Sequence, residues 1–234
     1  MGQYYRGAVL GITANKKKKF IVKQAFSPYR YDNGAKLMEH SYVGNYYVKR
    51  YEYELANEFN GYPFVWIGDY ADYHFNEDDG YTKANEFIDK IIRRNAIKKG
   101  YRVETDSFGN DMFFDGVVMK HEHDIDIPMP YEELPTYKYI INYTKKQFVR
   151  IPNKVEENKL VIHPLPLLCA DGNGRGGGDY SGTNMDAIGM WAYDRIGVSN
   201  EIPKHIKTEL VISFKEEYDG GDETLNDFTY RKIK

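Results

Sequence analysis

Cysteine occurs once in these 234 residues, as Cys169, so no disulfide can form within the chain and no cysteine cluster can hold zinc. A reducing compartment is expected, and with it a cytoplasmic location. Long apolar runs are also lacking, and no stretch is extended enough to cross a bilayer as a helix. The opening "MGQYYRGAVLGITANKKKK" is interrupted by Arg6 and then by lysines, which does not fit a secretory leader. Arg6 also stands where an N-myristoylation signal after Gly2 has serine or threonine. No membrane association is expected. A basic excess is missing as well: 32 Lys and Arg face 35 Asp and Glu, for a net charge of −3. That balance lacks the electrostatic footprint of phosphate-backbone binding, so nonspecific nucleic-acid binding is not expected. The one basic run, Lys16 to Lys19, reads as a solvated hairpin tip.

Aromatic residues, by contrast, are plentiful. The 22 tyrosines and a hydrophobic fraction of 41% place the chain among folded proteins despite its 29% charged residues. A compact fold of this length buries roughly 70–75% of its unfolded surface, enough for a substantial core. "YYRGAVLGITA" and "FIVKQAF" flank the lysine tip as an N-terminal hairpin. Helix is expected from Ala35 through "AKLMEHS", and then in "NYYVKRYEYELANEF", where Val48, Tyr51, Leu55 and Phe59 recur at helical spacing and should face the core. "YPFVWIGDYA" reads as a strand. A further helix carries the stripe Ala84, Phe87, Ile88 and Ile91 and stops at Lys98-Lys99-Gly100.

"YRVET" and "MFFDGVVMK" read as a hairpin, and so does "YKYIINYTKKQFVRI", turning about Thr144 to Lys146. Between them "IPMPYEELP" resists regular structure and separates possible halves, a mixed 1–130 and a β-rich 136–234. The expectation is one compact domain over 1–234. Its class is α+β: a mixed, mainly antiparallel sheet with about three helices concentrated in residues 35–99.

The least ordinary stretch is "CADGNGRGGGDYSG", residues 169–182. Gly172, Gly174 and Gly177 match a dinucleotide fingerprint, and Asp194 follows at a suitable distance for a ribose carboxylate. However, "GDYSGTN" cannot open the helix that such a fingerprint requires, and prolines 164 and 166 spoil the strand before it. No Gly-Lys-Ser/Thr follows, which excludes a P-loop. Two readings remain open. Gly174, Gly176, Gly177 and Gly178 could form an amide nest for an anion, with Arg175 as a forked donor and Asp171 and Asp179 either orienting it or holding a metal. Alternatively, the glycines serve close packing while Arg175 is clasped by Asp171 or Asp179.

Other chemistry-bearing residues are fewer. His121 and His123 in "KHEHDID" would share one face of a strand and could offer two imidazoles to a metal, against the plainer reading of a solvated strand. Asp69, Asp179 and Asp194 could serve as acid/base groups or metal ligands if the fold brings "GDYAD", the glycine loop and "WAYDRI" together; otherwise they are turn aspartates. Ser181 lacks a GxSxG elbow, and Cys169 ends an apolar run as a buried thiol would. No cofactor is implied.

Several pieces, "MGQYY", "DNGAKLMEH" at 32–40, "GDYAD" at 68–72, "YIINYTKKQFV" at 139–149, "DGNGRGGGDY" at 171–180 and "WAYDRI" at 191–196, together resemble a group of uncharacterised bacterial and phage proteins. Tyr193 departs from that group's pattern, which more often has a small residue within the tryptophan motif. The resemblance implies a shared fold and carries no catalytic residue with it. The expected function is therefore a binding or inhibitory module, of phage type, that recognises a host factor or a phosphorylated small ligand through the glycine loop. The alternative is a hydrolase or transferase acting on a phosphate-containing substrate through the aspartates and Arg175.

Overall fold

The computed structural model describes residues 3–12, 20–71, 80–121, 133–153, 160–172, 186–216 and 223–233, with the side chains of 214–216 and 223–226 left aside. The fold is α+β. One large sheet takes strands from both sides of the proline segment in the order β12-β11-β8-β7-β10-β3-β1-β2. The strands are β1 (Tyr5–Ile12), β2 (Phe20–Ala25), β3 (Tyr62–Gly68), β7 (Tyr139–Asn142), β8 (Gln147–Arg150), β10 (Arg195–Ser199), β11 (Thr208–Glu216) and β12 (Glu223–Lys232). A two-residue strand, β9 (Ala170–Asp171), pairs with β3 off this path. Pairing is antiparallel except for β8 with β11 and β3 with β9.

β3 is the pivot. Its Pro63–Val65 to Gly68 run is buried, the pattern of a strand covered on both faces. Phe64 and Trp66, with Tyr5 and Val9 of β1, face helix α2 (Tyr46–Ala56) in one core. Val65 and Ile67, with Ala8 and Leu10, face helix α3 (Gly80–Lys98) in a second. Alternation along the strand thus assigns neighbouring residues to different cores.

The expected helices are present, with altered faces. Val48, Tyr51, Leu55 and Phe59 are all buried as the spacing predicts. In α3 the buried stripe is Ala84, Ile88, Ile92 and Ala96, while Phe87 and Ile91 are half-buried. Gly100 and Tyr101 close α3 by donating to Ile97 O and Ala96 O, the paired bonds of a Schellman stop. "AKLMEHS" yields only the single turn α1 (Leu37–His40).

Elsewhere the chain differs from the sequence reading. "MFFDGVVMK" is two strands, β5 (Asp111–Asp115) and β6 (Val118–Lys120), folding about Gly116 and forming with β4 (Arg102–Thr105) a separate three-stranded sheet. The second half holds a helix as well, α4 (Pro164–Cys169). Pro164 sits at its first position, where a missing N–H costs nothing, so the prolines that argue against a strand here start a helix.

Two tyrosines of α2 fasten the β1–β2 hairpin in an unusual way. Ala8 pairs with Ala25, so Gly7 would next face Phe26 across the ladder. Two hydroxyls stand there instead. Tyr47 Oη accepts from Gly7 N at 3.2 Å and donates to Phe26 O at 2.9 Å. Tyr51 Oη accepts from Phe26 N at 2.8 Å and donates to Gly7 O. Burial pushes the Tyr47 hydroxyl up to about 12 and Tyr51 well above its ordinary value, so both keep the proton each must donate. Gly7 is required, because a Cβ there would lie 2.6 Å from the Tyr51 ring.

Candidate functional site

A cleft of about 760 Å³ lies between α2 and the segment 136–153. Its floor starts from ordinary helix chemistry. Asn45 caps α2, its Oδ1 accepting from Tyr47 N at 2.9 Å and Val48 N at 3.4 Å. With the helix start fixed, Val48 and Glu52 fall one turn apart on the same face, and both line the cleft.

The opposite side of the floor comes from the start of α4. Residues 161–163 run antiparallel to 41–43, with His163 N donating to Ser41 O at 2.8 Å and Val43 N to Val161 O at 2.9 Å. His163 is the N-cap of α4, and its Nδ1 accepts from Leu165 N at 3.1 Å. That bond assigns the ring proton to Nε2, which donates to Glu52 Oε1 at 2.6 Å. The His163 and Glu52 side chains are 1% and 5% exposed.

In this tautomer the imidazole carries no charge to offset the carboxylate. Among the described residues Glu52 Oε2 makes no hydrogen bond, and it is not among the atoms sealed from solvent without a partner. Glu52 lines the cleft. Ile151 completes the buried floor, while Lys138, Asn153 and Asn200 stand exposed at the rim. The arrangement can accept a donor at depth and offer polar groups at the mouth.

The residues singled out in the sequence lie elsewhere. Asp69 Oδ1 accepts from Tyr4 N at 3.1 Å while Asp69 N donates to Tyr4 O at 3.0 Å, closing the end of the β1–β3 ladder. Asp194 Oδ2 accepts from Lys145 Nζ at 2.5 Å and Asn142 Nδ2 at 2.8 Å. Lys145 Nζ also donates to Met190 O at 2.5 Å, so the pair ties the β7–β8 turn to the tryptophan motif. Asp194 O accepts from Phe64 N near the start of β3, whereas Asp69 follows its end. Five strand residues separate these points by roughly 16 Å, so Asp69 and Asp194 do not converge.

Asp171 accepts from Tyr193 Oη at 2.6 Å, and both belong to a second cavity of about 590 Å³ that also includes Phe20, Asp186 and Gly189. Burial and the adjacent Asp171 carboxylate raise the Tyr193 hydroxyl pKa, keeping it a donor. Its ring stacks on Phe20 at a centroid distance of 5.3 Å. The larger residue in the tryptophan motif thus has a packing role. Gly172 packs so closely on Tyr5 Oη and Gln3 Oε1 that a Cβ would overlap both.

Gly174, Arg175, Gly176, Gly177, Gly178 and Asp179 lie outside the described residues, as do His123, Ser181 and the Lys16–Lys19 tip. His121 follows β6 and is exposed. Among the described residues no three His, Cys, Asp or Glu side chains group as metal ligands, and no helix is long and apolar enough to cross a membrane. Cys169 is buried, and burial pushes its thiol well above the ordinary value. No protein family, curated protein or solved structure matches the chain.

Glu52 and His163, on the floor of this cleft, are residues that the sequence reading did not put forward as a site. A usable signal was present for one: Glu52 falls four residues after Val48 and three before Leu55, a charge inside an apolar stripe. For His163 the only local hint is its place directly before Pro-Leu-Pro.

Proposed function

We propose that the protein is a binding module that holds a small polar molecule in the cleft floored by Glu52 and His163. The observation that carries this reading is the Glu52 carboxylate, only 5% exposed, which lines the cleft and has one oxygen unpaired among the described residues. A charged group withdrawn from water without a full set of partners costs stability, and is retained where a ligand completes the set. Catalysis has less support. Both His163 nitrogens are engaged by Leu165 and Glu52, which leaves the ring no position for proton abstraction. The described aspartates proposed for a hydrolase or transferase, Asp69 and Asp194, are occupied in bracing loops. The reducing cytoplasm is the setting that this reading assigns to a chain with one buried thiol.

A second reading keeps the glycine loop as the recognition element for a phosphorylated ligand or a host protein, as the likeness to phage and bacterial proteins suggests. What favours it is that Asp171 and Asp186, which flank that loop in the sequence, line the second cavity. A thermal-shift screen of amines, amino acids, sugars, nucleotides and inorganic phosphate separates the two. Stabilisation lost in Glu52→Gln supports the cleft. Stabilisation by phosphate compounds, lost in Arg175→Ala and kept in Glu52→Gln, supports the loop and overturns the cleft. Silence across the panel contradicts both.

A further inference from the structure

We infer that the ligand of the cleft is a small zwitterion, with a protonated amine on Glu52 Oε2 and a carboxylate or phosphate held near the mouth by Lys138 and Lys49. This rests on the cleft being the binding site, and it names the chemistry that the site selects.

The floor argues for the amine. Among the described residues Glu52 accepts one hydrogen bond, from a neutral imidazole, and no arginine or lysine pairs with it. A hydroxyl or amide on the guest could donate to Oε2, yet would leave the buried charge without a counterion. An ammonium supplies both the donor and the charge, and charge-assisted bonds of this kind are roughly twice as strong as neutral ones. Beside it on the floor, Val48 and Ile151 are apolar and buried.

The walls argue for the anion. Lys49 and Lys138 both line the cleft. Among the described residues Lys138 Nζ makes no ion pair, and Lys49 Nζ makes only a cation–π contact, 5.6 Å from the centroid of Tyr46. A plain cation on Glu52 would share the cleft with two ammonium groups. A guest that also carries a carboxylate or phosphate turns that repulsion into attraction, and Asn153 and Asn200 add amide donors at the rim. A cleft of about 760 Å³ also has room for a molecule much larger than a bare amine.

Isothermal titration of the full chain with glycine, γ-aminobutyrate, ε-aminohexanoate and phosphoethanolamine, beside butylamine, butyrate and inorganic phosphate, tests the inference. At least one zwitterion should bind about tenfold or more tightly than butylamine, butyrate or phosphate. Glu52→Gln, which keeps an acceptor for His163, should weaken that zwitterion about tenfold with Tm little changed. Lys138→Ala should weaken the zwitterion and spare butylamine. Carboxylate and phosphate guests are told apart by γ-aminobutyrate against phosphoethanolamine. Equal affinity for butylamine and the zwitterions, or indifference to Glu52→Gln, would overturn the inference. Glu52-dependent binding of uncharged sugars alone would also overturn it, while leaving the cleft as the binding site.

Discussion

Glu52 and His163 stand 111 positions apart in the chain and meet at 2.6 Å, joining the middle of α2 to the N-cap of α4. The two ends of this bond contribute differently to stability. His163 also caps α4 through Leu165 N, so His163→Leu loses the cap and the donor to Glu52 together and should cost about 2 kcal/mol or more. Glu52→Gln keeps an acceptor in place and should cost less than about 1 kcal/mol. Urea denaturation of both variants checks the order; a larger loss for Glu52→Gln would contradict the assigned tautomer.

The Tyr47 and Tyr51 hydroxyls replace the direct Gly7–Phe26 pairing. Tyr51→Phe strands a buried N–H and a buried carbonyl, and should cost about 1–3 kcal/mol. Tyr47→Phe should do likewise. Because both hydroxyls serve the same two residues, the double variant should depart from additivity by at least about 0.5 kcal/mol. Strict additivity in denaturant titrations would show that the hydroxyls act independently.

His40 carries a pH dependence. Its Nδ1 donates to Gly34 O at 2.9 Å and its Nε2 accepts from Trp66 Nε1 at 2.9 Å, so a second proton would meet the indole N–H. Burial lowers the His40 pKa from 6.5 to about 4. Between those values the unfolded chain binds a proton that the folded chain does not, so this contribution is present in full above pH 6.5 and is lost as pH falls towards 4. Going from pH 7 to pH 5 should remove about 2 kcal/mol of stability through His40. Comparing wild type with His40→Asn at both pH values isolates that loss, and equal slopes would exclude His40 as its source.

Cys169 should be silent towards iodoacetamide in the folded protein and react only on unfolding, since its thiol is enclosed and its pKa raised by burial. Mass spectrometry with and without urea reads this directly. Rapid alkylation under native conditions would contradict its place in the core.

The sequence announced the parts of this fold whose signals are local. The stripe from Val48 to Phe59, the stop at Gly100 and the turn at Thr144–Lys146 follow from periodicity and turn chemistry within a few residues. α4 was hidden because its Pro164 and Pro166 suggest broken structure until an N-cap residue is identified, and histidine is not among the usual ones. β12 was hidden because "ETLNDFTYRK" is a polar edge strand with little alternation. The cleft was less legible still. Glu52 and His163 acquire their meaning only when residues 41–43 pair with 161–163, a long-range contact that no local pattern encodes. Asp69 and Asp194 looked like chemistry because aspartates near tryptophans are conspicuous, and they prove to be braces at opposite ends of β3.

The most direct test is a ¹⁵N–¹H correlation titration of the full chain with whichever thermal-shift compound raises Tm most. The cleft account predicts shifts concentrated at Gly44, Asn45, Val48, Glu52, Asn153 and Asn200, and their disappearance in Glu52→Gln. Shifts centred instead on Ala170–Gly172 and Asp186–Tyr193, unaffected by Glu52→Gln, would contradict it.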